Sequence, residues 1–191
     1  MAAGKVATGF SKPYVALYNV SEGGVSYSGA RALARGVGVS LEPETSDDNI
    51  FYADNQAAET EGGVFKGGKV TLTVDGLKED AEAMIYGTAS ADEDGWTAYG
   101  DNQRIPYVGI GYVTRYMEDG VVSYVPTVLA KAKFAQKSES AKTQEENIDF
   151  QTQELSATLM RADDANHNWK YLGKSCATEA EAEALLVAKL S

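Results

Sequence analysis

The chain has 191 residues, with 28 Asp or Glu against 17 Lys or Arg, for a net charge of −11. That balance argues against wrapping nucleic acid by counter-charge, which needs clustered cations, and suits a protein that stays soluble when concentrated or must not hold a polyanion. The single cysteine, Cys176, excludes an internal disulfide and speaks against a cysteine-based zinc site. A chain of this length buries enough surface to fold without either.

Nineteen glycines, and eleven tyrosines against five phenylalanines, point to a turn-rich β protein. Residues 1–12 are small and polar enough to be expected as a flexible N-terminal arm. Pro13–Val20 reads as a first strand, with Glu22-Gly23-Gly24 turning it into Val25–Tyr27. Arg31–Leu41 alternates as a second strand, with Leu33, Val37, Val39 and Leu41 on one side and Pro43 ending it. Ser46–Asn49 is a turn cluster, Ile50–Ala53 a short strand and Asp54–Gly63 an exposed acidic loop.

In Lys69–Asp75 the residues Val70, Leu72 and Val74 alternate with Lys69, Thr71, Thr73 and Asp75. A strict period of two marks a strand with one face in a core and the other facing solvent or a neighbour. Gly67-Gly68, before it, is read as a two-residue hairpin turn. Leu77–Tyr86 follows as a helix whose apolar face is Leu77, Ala81, Met84 and Ile85, with Gly87 placed for a left-handed cap. Ser90–Gln103 is a long acidic loop.

Ile105–Tyr116 is apolar on both faces, which predicts a central strand. Glu118-Asp119-Gly120 turns it into Val121–Phe134, where Pro126 predicts a bulge or an edge position. Ile148–Arg161 changes phase between Glu154 and Leu155, predicting a bulge, and Trp169–Leu172 is a last short strand. Helix 178–190 is the clearest element: Thr178 and Glu181 form a capping box, and Ala182, Leu185, Leu186 and Val187 an apolar side.

Catalytic and cofactor motifs are weak throughout. Gly63–Lys69 has the GxxxxGK spacing of a phosphate loop, but Val70 replaces the magnesium-binding hydroxyl and a strand follows where a helix is required. Asp92-Glu93-Asp94-Gly95 lacks the alternating ligands and closing glutamate of a calcium loop. His167 is the only histidine and is read as a turn residue covering Trp169; Cys176, just before the last helix, reads as a small buried apolar residue. Paired carboxylates for glycoside hydrolysis have no positive support beyond the number of acids. No cofactor, metal ligand or catalytic residue is therefore assigned. No N-terminal stretch has the order of a secretory signal and no apolar run suits a bilayer, so the expectation is a chain made in a cytoplasm, without a membrane partner.

Four stretches in order, ETSDDNIFYADNQAAE with FKGGKVTLTVDGL, then IPYVGIGYVTRY, then KAKF at Lys131–Phe134, then IDFQTQELSATLMR, resemble the major tail proteins of long-tailed bacteriophages. The likeness is greatest to non-contractile tails infecting Gram-positive bacteria and spans about Pro13 to Arg161. It implies a mainly β fold, a β-sandwich or half-barrel with a flanking helix, for a tail-tube domain over 13–166, with 167–191 as a C-terminal extension. It also implies hexameric rings of identical copies that stack into a tube in the virion, meet terminator or initiator proteins, and let DNA pass without specific binding.

Six copies at −11 each would make a polyanionic ring, and DNA, with roughly one charge per 1.7 Å of axis, would slide past it. A share of Asp47, Asp48, Asp54, Glu59 and Glu61 is expected at the channel or the seam between rings. The alternative from another class is an acidic β-sandwich binding carbohydrate or protein through loops bearing Trp96, Tyr99 and Tyr107.

Overall fold

The computed structural model describes residues 4–22, 24–53, 56–89, 92–139, 143 and 151–191. Its strands are β1 (Val6–Ser21), β2 (Gly24–Ala32), β3 (Gly36–Thr45), β4 (Asn49–Ala53), β5 (Gln56–Glu61), β6 (Phe65–Val74), β7 (Val108–Glu118), β8 (Val121–Phe134), β9 (Gln153–Met160) and β10 (Lys170–Leu172); the helices are α1 (Glu79–Tyr86) and α2 (Glu179–Lys189). The expected mainly β fold with flanking helices is found: eight strands form one antiparallel sheet in the order β2-β1-β7-β8-β9-β6-β3, with β10 also paired to β8.

The connection between the two marginal strands forces this sheet to curl. A flat run of seven strands would set β2 and β3 roughly 29 Å apart at about 4.8 Å per neighbour. Yet only Leu33-Ala34-Arg35 joins them, and four Cα steps reach at most about 14 Å. The sheet therefore bends into a half-barrel. Its seam is held by Leu33 N–H donating to Pro13 O at 2.8 Å, Asp75 N–H to Arg35 O at 3.1 Å and Lys78 N–H to Leu33 O at 3.2 Å. The Arg35 guanidinium closes the same point on the Asp75 carboxylate. Where β3 begins, the Phe10 ring lies against Gly36, leaving 2.4 Å to the nearest ring atom for any Cβ there.

Alternation then decides which residues are inside. Val15, Val70, Leu72, Val74, Ile110, Leu155 and Leu159 fill the concave core, closed by Ala81, Ile85 and Tyr86 of α1. Val70, Leu72 and Val74 are fully buried as their spacing predicts, while Lys69 on the opposite face is exposed. The adjacent residues Ala16 and Val113 point through the sheet to a second cluster, with Ala182, Leu186 and Leu190 at α2. Gly109 and Gly111 pave that contact: a Cβ on Gly111 would lie 2.6 Å from Leu186 Cδ1, so only a bare backbone lets the helix this close. The predicted caps are both present. Gly87 adopts φ 63° after α1, and Thr178 accepts a hydrogen bond from Glu181 N–H before α2.

Several expectations are corrected. Residues 6–12, read as part of an arm, belong to β1 and pair with β7 from Val6↔Met117 onward. Gly67-Gly68 is not a hairpin turn: β6 runs straight through it. Gly68 is there because Glu42 and Pro43 of β3 press close, with 2.7 Å from its Cβ position to Glu42 O. Arg31–Leu41 is two strands, and Val37 is 57% exposed because a register shift between Gly36 and Gly38 takes it out of phase with Val39 and Leu41. Pro43 does not end β3, which carries on to Thr45; a margin strand tolerates the missing N–H.

β9 pairs with β6 in unbroken register from Val74↔Gln153 to Gly68↔Leu159, so there is no bulge at Glu154; residues 148–150 lie outside the described set. Pro126 sits within β8 opposite Val113 without a register shift, its carbonyl accepting Gly173 N–H at 2.8 Å just past the end of β10. Residues 167–191 supply β10, which pairs with β8, and α2, which packs on β7 and β8.

Candidate functional site

Four of the five predicted acids fall on one arm. Beyond Thr45↔Phe65 the β3–β6 pair kinks and continues as a separate two-stranded ribbon, β4–β5, with Asn49↔Glu61, Ile50↔Thr60 and Phe51↔Glu59 in register. The stretch read as an acidic loop thus contains strand β5. The kink is fastened by Ser46: its N–H donates to Val64 O at 2.8 Å, and its hydroxyl accepts Val64 N–H at 3.1 Å. Gly63 turns there at φ 74°, and a Cβ on Gly62 would collide with Asp48, 2.7 Å from its Cα.

Asp47 and Asp48 are exposed at this kink, and Glu59 and Glu61 lie along β5. Asp54 lies outside the described residues. Four of the five acids are therefore brought onto one arm, at backbone level, by a hairpin that sequence periodicity does not reveal.

The remaining candidates are structural in their contacts. Asp92 Oδ1 accepts the N–H groups of Asp94 at 3.1 Å and Trp96 at 2.8 Å, which occupies this carboxylate with its own turn. His167 stands in a left-handed turn at φ 51°, Nδ1 3.3 Å from Ala162 O. Trp169, which it was expected to cover, stacks instead on Phe65 with ring centroids 4.5 Å apart. Cys176 is buried and bridges to Tyr124. Among the described residues no group of three or more His, Cys, Asp or Glu is placed to hold a metal ion, and no buried side-chain nitrogen or oxygen lacks a partner.

Two polar clusters tie the ends of the chain into the sheet. Lys131 Nζ meets Asp163 Oδ2 at 2.6 Å, and Tyr18 OH donates to the same oxygen at 2.9 Å. Lys131, then Tyr18, hold the Asp163 carboxyl below its usual range, while burial pushes the Tyr18 phenol up to about 12. On α2, Glu183 receives Lys12 Nζ at 2.9 Å and Tyr14 OH at 2.8 Å from β1, and its carboxyl is lowered, chiefly by Lys12. Neither cluster was legible from spacing, since Tyr18 and Asp163 are 145 residues apart, Tyr14 and Glu183 169, and even Lys131 and Asp163 32.

The aromatic residues of the alternative reading take different neighbours. Trp96 is 75% exposed. Tyr99 OH donates to Glu82 on α1 at 3.1 Å, and Tyr107 lies under Lys131 Nζ at 4.6 Å. The fold and these surfaces define a mainly β protein, a curled antiparallel sheet with a helix on each face and an acidic two-stranded arm. No protein-family model matches the chain, and no curated protein matches it either.

Proposed function

We propose that this chain is a structural subunit, a tail-tube protein that assembles into stacked rings of identical copies around a channel for DNA. The observation that carries the reading is a single sheet with two open margins, β2 and β3, the second of which runs on into the acidic arm. Unpaired strand margins recruit further strands, and a subunit made to polymerise uses that tendency between copies. The resemblance of the four ordered stretches supplies the identity of the assembly. The net charge of −11 suits a channel that repels and so releases DNA. On this reading a share of Asp47, Asp48, Asp54, Glu59 and Glu61 lies at the channel or at the seam between rings. The partners are further copies, together with the tail proteins that start and stop the tube.

Negative-stain electron microscopy of the concentrated protein tests this. Rings or hollow tubes are expected, with no DNA shift at physiological salt. A persistent monomer that binds a glycan would instead establish the binding-module reading.

A further inference from the structure

Between β10 and α2 the surface holds an apolar groove of about 310 Å³, lined by Pro126, Tyr171, Leu172 and Leu185 with Lys174 and Lys189 at its edge. Leu172 is 66% and Leu185 38% exposed there. Lys189 lies over the Tyr171 ring at 4.2 Å, and among the described residues neither Lys174 nor Lys189 forms an ion pair. The groove is thus apolar in its floor and cationic at its lip.

The chain presents a feature of the opposite character elsewhere. Trp96 projects from a tight turn whose other side chains are Asp92, Glu93 and Asp94, all exposed. The turn is preformed by the two hydrogen bonds that Asp92 accepts, so little ordering remains to be done on binding. Its loop is fastened to α1 by Tyr99 on Glu82 and by Gln103 Nε2 donating to Tyr86 O at 2.7 Å. α1 covers the concave core and α2 the reverse of the sheet: Val15 packs with the first and its neighbour Ala16 with the second.

We propose that Trp96 of one copy seats in the β10–α2 groove of the next, with Glu93 and Asp94 facing Lys174 and Lys189. Tryptophan is among the residues that carry most binding energy when buried in a pocket, and the charges at the lip choose its orientation. The loop bearing the knob is fastened to α1 on one face of the sheet and the groove lies beside α2 on the other, so the contact is head-to-tail and propagates into rings or filaments rather than closing a twofold pair. The contact presupposes the self-assembly proposed above and names one joint of it.

The test measures assembly against concentration, by light scattering and microscopy, for the full chain and its variants. Trp96→Ala should raise the concentration needed for assembly at least about tenfold, with far-ultraviolet circular dichroism and melting unchanged because the side chain is exposed. Two charge-reversed chains, Glu93→Lys with Asp94→Lys and Lys174→Glu with Lys189→Glu, should each fail alone and assemble when mixed, since every knob then meets a groove of opposite sign.

If Trp96→Ala assembles like the parent, or the mixture stays apart, this joint is wrong while self-assembly stands. If the groove variant Leu185→Glu blocks assembly and Trp96→Ala does not, another occupant fills the groove and the assignment to Trp96 falls. If the parent chain never assembles, both proposals fall together.

Discussion

The outer face of the sheet has two halves that were built differently. Over β1, β7 and β8 it is paved with Gly109, Gly111, Ala16 and Val113, and α2 lies on it. Over β3, β6 and β9 it presents Ser40, Glu42, Lys69, Thr71, Thr73, Glu154, Ser156 and Thr158, partly or fully exposed, with no helix of the described residues on top. Both halves share one hydrogen-bonded ladder and the same concave core. The backbone is therefore indifferent to what covers it, and the side chains alone decide which half is sealed within the subunit and which is left for solvent or a neighbour.

The sealed half should be the more fragile. Leu186 of α2 is fully buried against the glycine floor. Leu186→Ala is expected to cost about 3 kcal/mol and to lower the melting temperature on the order of 10 °C, measured by calorimetry; a loss under 1 kcal/mol would mean that α2 is only loosely seated.

Glu183→Gln probes the rim of the same half and should cost about 1 kcal/mol at neutral pH. Because the folded carboxyl titrates below its ordinary value of 4.5, its contribution is complete above that value and is lost as pH falls through the lowered one. Melting curves of parent and variant should therefore differ by a constant amount from pH 7 down to about 5 and converge in more acidic solution. Convergence on raising the pH would contradict the Lys12 and Tyr14 contacts.

The open half should barely respond. Thr71→Val, among Ser40 and Ser156, is expected to change stability by no more than about 0.5 kcal/mol in either direction. A large change in monomer stability would show that this face is already engaged within the subunit.

The sequence announced those parts of the fold that depend on neighbours along the chain. The Val70-Leu72-Val74 alternation, the Gly87 and Thr178 caps and the Asp119-Gly120 turn (φ 47° and 80°) are each set by a few adjacent residues. What it hid depends on distant chain. Gly67-Gly68 looks like a turn locally and is a strand because it pairs with Pro43 and Glu44 of β3. The acidic residues 56–61 have no strand-like pattern and are extended because β4 pairs with them. The phase of Val37 is reset by one extra residue at a margin. Of the candidate acids, the residue types could be chosen from the sequence, but their gathering on a kinked arm needed the Ser46–Val64 fastening, which no periodicity encodes.

The short seam at Leu33–Arg35 has a mechanical consequence. It ties the end of β2 to the start of β3, so the two borders of the sheet are joined by a single short link. A cut in this three-residue link would leave the curl to the core and α1 alone, although every rung of the ladder stayed in place.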